Sequence, residues 1–232
     1  MSWSAWILLS WLLTVVVLLA IPVSSLPWWL LVAAILLRTH LQTGLFILGH
    51  DAMHGVLWQR QPQWNQRLGW LSLALYAALP YGRCRDNHHR HHQHTGTALD
   101  PDVPAAQDVS VLGWYRQFMA HYLSGQQMSL LLMGWSTLLL AGVEWLNVLL
   151  VCTLPLLLSS VQLFVVGTYL PHQRQQQSSN EVHPASLALP AWMSFLACYH
   201  FGYHREHHDH PSLRWFELPG AWQQSQTLAI SS

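Results

Sequence analysis

The segment Asp86-Asn87-His88-His89-Arg90-His91-His92-Gln93-His94 places five histidines in nine residues, and its reading decides the rest of the chain. On a helix, positions i, i+3 and i+4 share one face, so His88, His91 and His92 point at the same small volume. That is the geometry of a metal ligand set. Two other stretches repeat it: His50-Asp51-Ala52-Met53-His54 pairs imidazoles at i and i+4, and His204-Arg205-Glu206-His207-His208 repeats the i, i+3, i+4 pattern, with His200 one turn earlier. The boxes read HxxxH, HxxHH and HxxHH. Their eight imidazoles exceed the roughly four ligands that satisfy one zinc. Imidazole also suits iron and copper, so a pair of metals is the natural expectation.

Composition sets where such a centre can sit. The chain is 52% hydrophobic and 9% charged, with fourteen tryptophans and no lysine, which is the composition of a membrane protein. Net charge is zero, so no basic face that could track nucleic acid is available. Cys84, Cys152 and Cys198 are isolated, odd in number and fit neither a disulfide framework nor a thiolate zinc site.

The expected fold is all-α, an integral membrane protein forming one domain over 1–232, with four transmembrane helices and a histidine-box cap. The spans are expected at about 5–21, 28–48, 128–143 and 146–170, and the cap at 49–127 and 171–219. The first run is read as a retained helix rather than a signal peptide, because no basic residue precedes it and the turn Pro22–Pro27 follows it. Arg38 and Gln42 interrupt the second run. A charge there costs roughly 2.5–3.5 kcal/mol on insertion scales, so both should face other helices or a substrate channel, paired one turn apart. The apolar run 68–79 is too short to cross and reads as re-entrant or interfacial, 103–127 reads as lying along the membrane, and Pro155 is expected to kink the last span. Leu187–Phe201 reads as an interfacial helix leading into the third box, the stretch from Gln173 to Pro184 as a polar loop, and the tail after Trp222 carries no signal.

His172, just past the fourth span, matches the predicted depth of His50 and is a further candidate ligand. Asp51, Asp100, Asp102 and Glu206 are carboxylates placed to hydrogen-bond ligating imidazoles from behind. Nine of ten arginines lie in 50–127 or after Leu170, and none lies in the short connections, so the positive-inside rule puts both termini and every box in the cytoplasm.

The residues between the histidines carry a resemblance. His50-Asp51-Ala52-Met53-His54-Gly55, His88-x-x-His91-His92-x-His94-x-Gly96-Thr97 with Asp100-Pro101-Asp102, Tyr169-Leu170-Pro171-His172, and Phe201-Gly202-Tyr203-His204-x-Glu206-His207-His208 resemble beta-carotene ketolases of the membrane fatty-acid desaturase and hydroxylase superfamily. The resemblance runs from about Arg38 to Pro219. It implies two iron ions, with O₂ as co-substrate, held by His50, His54, His88, His91, His92, His172, His204, His207 and His208, with His200 and His94 as further candidates and His89 outside the set. It implies oxidation of an allylic ring methylene of beta-carotene to a ketone, on a lipid-soluble carotenoid that arrives from the membrane lipids. No GxGxxG signature is present, so electrons must come from an external donor such as a ferredoxin. A carotenoid ring hydroxylase or lipid desaturase of the same superfamily stays open, as does, more distantly, a membrane zinc hydrolase using Glu206 as its acid, or a non-enzymatic carotenoid- or metal-binding membrane protein.

Overall fold

The computed structural model describes residues 2–106, 109–177 and 183–231, and every regular element among them is helical. They are α1 (Ser2–Ala20), α2 (Trp28–Met53), α3 (Pro62–Ala77), α4 (Tyr81–His94), α5 (Val111–Tyr122) and α6 (Gly125–Leu140), then the long α7, whose membrane-length stretch is Trp145–Gln173, and finally α8 (Ala191–Cys198), α9 (His204–Asp209) and α10 (Leu218–Ser231). Of the polar loop expected from Gln173, residues 173–177 continue α7 as helix, and 178–182 lie outside the described residues.

Among the described residues, three helices are long and apolar enough to cross a membrane, within α1, α2 and α7. The chain is a membrane protein, and α1 turns Leu9, Leu12, Leu13, Val16 and Val17 outward, a lipid-facing surface in a single helix. The remaining expected span is α6, with 16 residues and an exposed face of Leu130, Leu132, Met133, Leu139 and Leu140. At 1.5 Å per residue it is about 24 Å long, short of the roughly 30 Å of hydrocarbon.

α2 is longer than expected. Its 26 residues carry it on to Met53, a length of about 39 Å, so its last turns project past the hydrocarbon with His50 already in place. The apolar run at 68–79 belongs to α3, which packs along α2 and ends where Ala78 turns left-handed at φ 52°. The tail forms α10, a helix that sequence alone did not indicate.

A polar knot ties the spans together below the boxes. Pro155 has no N–H, so the carbonyl of Val151 loses its usual partner one turn on. The Nε–H of Arg38 donates to that carbonyl at 3.3 Å. Arg38 also donates to Trp11 O and Thr14 Oγ1 in α1 and to Gln42 Oε1, while Gln42 donates to Tyr76 O at the end of α3. Four helices are thus held by one buried guanidinium and one amide. Around Pro155 the helix widens rather than breaking, with π-helical turns over Val148–Thr153 and again over Leu163–Tyr169.

Candidate metal centre

Four segments distant in sequence deliver the histidines: the end of α2, the face of α4, the end of α7, and α9. Two sets emerge, each with donor atoms within 4.8 Å of one another: His50, His54, His88 and His207, and His91, His172, His204 and His208. The HxxHH spacing divides itself between them, since His88 and His91 face opposite sets and so do His207 and His208. Within a set, bare imidazole nitrogens approach closely: His54 Nε2 lies 2.7 Å from His88 Nε2, and His208 Nε2 lies 3.1 Å from both His91 Nε2 and His204 Nε2. Two nitrogens at right angles on an ion about 2.1 Å away would be about 3.0 Å apart, so this spacing fits donors converging on a common ion.

The protonation states suit ligation, which needs a free lone pair. Burial, reinforced by the surrounding imidazoles, holds His88, His204, His207 and His208 well below the ordinary histidine range, and burial pulls His54 down to about 4. His91 differs. Burial alone would lower it, but its hydrogen bond to Asp100 and the charges of Asp102 and Asp100 turn the net shift upward. His91 Nδ1–H donates to Asp100 Oδ1 at 2.8 Å, which leaves Nε2 facing the second set. Asp100 is itself fixed by the N–H groups of Gly96 and Asp102, at 2.8 and 2.9 Å. The first of these requires Gly96 to adopt φ 71°, a left-handed conformation that glycine takes without steric cost.

His92 belongs to neither set. Its Nε2 is 2.9 Å from His207 Nε2, and its ring stacks on His208 at 4.2 Å, so it stands between them. His94 lies away from both sets, in the wall of a surface cleft. His200 is buried at φ 64° and stacks between Tyr203 and Trp215, also outside both. His89 pairs with Met53 O at 3.0 Å and so locks α4 to the end of α2.

The other carboxylates have defined tasks. Asp51 accepts from Trp215 N at 3.3 Å and lies 3.7 Å from His50 Nδ1. Asp102 accepts from Tyr122 at 2.9 Å, and its carbonyl accepts from Trp114 at 2.7 Å. Glu206 accepts a hydrogen bond on each oxygen, from Ser186 and from Ser225 at 2.9 Å, which ties the third box to α10. Ser186 and Ser225 carried no signal in the sequence, and Trp114 and Tyr122, expected there as interfacial aromatics, are instead buried behind Asp102, because these partners are reached only through tertiary contact.

Beneath the histidines lies an apolar cavity of about 220 Å³, walled by Phe46, Phe118, Leu131, Trp135, Leu156 and their neighbours. A smaller chamber of about 30 Å³ adjoins the metal sets, with His50, His88, His91 and His204 in its wall. Phe46, Phe118, Tyr122 and Leu163 line both, so these four side chains separate the cavity from the histidines. Phe201, in the wall of the small chamber, packs so closely on Gly167 that a methyl there would sit 2.4 Å from its ring. Arg38 and Gln42 line neither space.

The fatty acid desaturase family model matches residues 26–136 and 123–229. A beta-carotene ketolase from Paracoccus sp. (strain N81106 / MBIC 01143) is 39% identical over 202 residues, covering 85% of this chain and 81% of that protein. A zeaxanthin 4-ketolase from Chlamydomonas reinhardtii is 36% identical, covering 89% of this chain, and a beta-carotene 4-ketolase from Protosiphon botryoides is 37% identical, covering 77%. The chain spans about half the length of these two algal relatives, 50% and 48%. No solved structure matches. With its histidine boxes inside the matched segments and these ketolases covered over most of its own length, the chain belongs to the fatty acid desaturase family.

Proposed function

We propose that the protein is an O₂-dependent ketolase that converts the allylic ring methylene of beta-carotene to a ketone. The observation that carries this reading is the small chamber: histidines from both sets share its wall with the four side chains that close the apolar cavity, so only those side chains stand between a hydrocarbon ring in the cavity and the metal centre. Relatives named as ketolases support the substrate class.

The donor set fits two irons, one held by His50, His54, His88 and His207 and the other by His91, His172, His204 and His208, with His92 available to either. When bound, such a pair supplies the activation of O₂. The protein's own residues do the rest. Asp100 fixes the tautomer of His91, burial keeps His54, His88, His204, His207 and His208 unprotonated, and Phe46, Phe118, Tyr122 and Leu163 exclude water and hold the ring in one register. Register matters because hydroxylation twice at one carbon gives a gem-diol that loses water to the ketone. The cavity of about 220 Å³ lies below the 300–1,000 Å³ of sites that enclose a whole drug-sized ligand, which suits one terminal ring with the polyene trailing into lipid.

Electrons must come from a separate carrier, such as a ferredoxin, meeting the arginine-bearing cap. The arginine distribution supports four spans, with both termini and the boxes cytoplasmic; the short α6 then crosses with local thinning of the bilayer. A reporter after Ser232 should read cytoplasmic and one at Ser24-Ser25 should not. Expression in a beta-carotene-producing host, with pigment analysis, tests the reaction: ketones should accumulate with the allylic alcohol as a transient, whereas alcohols away from the allylic position or desaturated acyl lipids would refute it.

A further inference from the structure

The wall of the apolar cavity includes one amide whose oxygen no protein group satisfies. Gln127, near the start of α6, lines the cavity and is 3% exposed. Its Nε2–H donates at 2.8 Å to the carbonyl of Ala77, the last residue of α3, one of the carbonyls that a helix end leaves without an internal partner. A carbonyl can only accept, so the amide is held with its nitrogen toward Ala77, and the oxygen is the atom left over. That oxygen is buried and has no partner. The hydroxyls of the same wall are already engaged: Tyr122 donates to Asp102, Ser160 to Leu157 O, and Tyr76 accepts from Ser159.

An unpaired amide oxygen beside an apolar ligand costs free energy that a hydroxyl on that ligand would recover. We infer that Gln127 is a specificity-determining residue whose Oε1 accepts a hydrogen bond from a hydroxyl on the carotenoid ring, so that the cavity favours ring-hydroxylated carotenoids over beta-carotene. This rests on the ketolase reading and deepens it. The hydroxyl concerned sits on a ring carbon beside the methylene to be oxidised, so the two ends of one ring edge would be read at once: the methylene by the chamber under the histidines, the hydroxyl by Gln127, which lines only the larger space. Geometry and selectivity then come from different elements, the histidine segments for the first and α6 for the second.

The test compares kcat/KM for beta-carotene and for zeaxanthin, which bears a hydroxyl on each ring, in the full-length, iron-loaded protein and in Gln127→Met, which keeps the volume and removes the acceptor. The wild-type protein should favour zeaxanthin by about tenfold, and the variant should bring the ratio to about one through a fall on zeaxanthin while beta-carotene conversion holds or rises. Binding is read separately in metal-free protein, through quenching of tryptophan emission by each carotenoid, with Trp135 in the cavity wall. There zeaxanthin should lose affinity in the variant and beta-carotene should not. Equal changes on both carotenoids, including loss of both, would make Gln127 a purely structural tie to α3 and overturn the inference while leaving ketolase activity in the wild type intact. Conversion of neither carotenoid by the wild-type protein would instead remove the ketolase reading and this inference with it.

Discussion

The two histidine sets have the same number of imidazoles and very different surroundings. The set around His91 is backed by a carboxylate at hydrogen-bond distance, itself held by two backbone N–H groups, and Thr95 Oγ1 lies 3.3 Å from His208 Nδ1. The set around His88 shows no such support among the described residues: Asp51 lies 3.7 Å from His50 and is engaged by Trp215, and Phe201 packs against the His50 ring at 4.8 Å. One set is oriented by charge, the other by packing. An imidazole whose rear nitrogen donates to a carboxylate is a better, preoriented ligand, so the two positions should differ in affinity, and the weaker is the one in apolar surroundings.

The largest expected effect comes from removing a ligand in each. His88→Ala and His204→Ala should both abolish ketone formation, but His88→Ala should retain about one iron per chain by elemental analysis; loss of both irons there would show that the sets act as one indivisible site. Asp100→Asn keeps the shape and removes the charge behind His91. It should weaken the second position by about 10–100-fold, read as a shift of one of the two steps in an iron titration. An unchanged titration would make the carboxylate irrelevant to affinity.

Acid should act on both sets in metal-free protein, since burial also holds His204 and His208 low and His91 alone is shifted upward. Burial lowers His54 to about 4 and also holds His88 and His207 low, so between about pH 6.5 and 4 the unfolded chain binds more protons than the folded one. Stability must therefore fall as pH drops through that window, by at most about 1.4 kcal/mol per pH unit for each such histidine, whereas His91, shifted upward, does not add to the loss. Thermal unfolding in detergent across this range measures it, and a flat profile would contradict the burial of these imidazoles in their neutral form. The smallest effect is expected from Asp51→Asn. The 3.7 Å separation predicts less than about a tenfold change in iron affinity, and a larger one would mean that Asp51 supports His50 as Asp100 supports His91.

What the sequence made legible follows from what is local. Imidazoles at i, i+3 and i+4 share a helix face whatever surrounds them, and the α1 and α2 runs lie close to where apolar length put them. Asp100 was legible because its partner is nine residues away across a turn. The division of each HxxHH box between two sets was not, because it depends on how α4 and α9 face each other. Glu206 and Gln127 find their partners in α10 and α3 only after the chain has folded, and nothing in their neighbours marks either. α6 had the composition of a span but not the length, since the helix stops at Leu140 and Gly142 turns at φ 89°.

The π-helical turns of α7 change how this chain can be compared with its relatives. A π turn holds one residue more than an α turn, so over Leu163–Tyr169 the helix is out of step with ordinary helical counting, and His172 follows directly after it. Deleting one residue from that run would let the wide turn close to an α turn and keep the imidazole on its set, whereas the same deletion from a regular α turn would rotate everything beyond it by about 100°. A single-residue gap in this stretch of a homologue would therefore mark a helix without the wide turn, its histidine still on the same face.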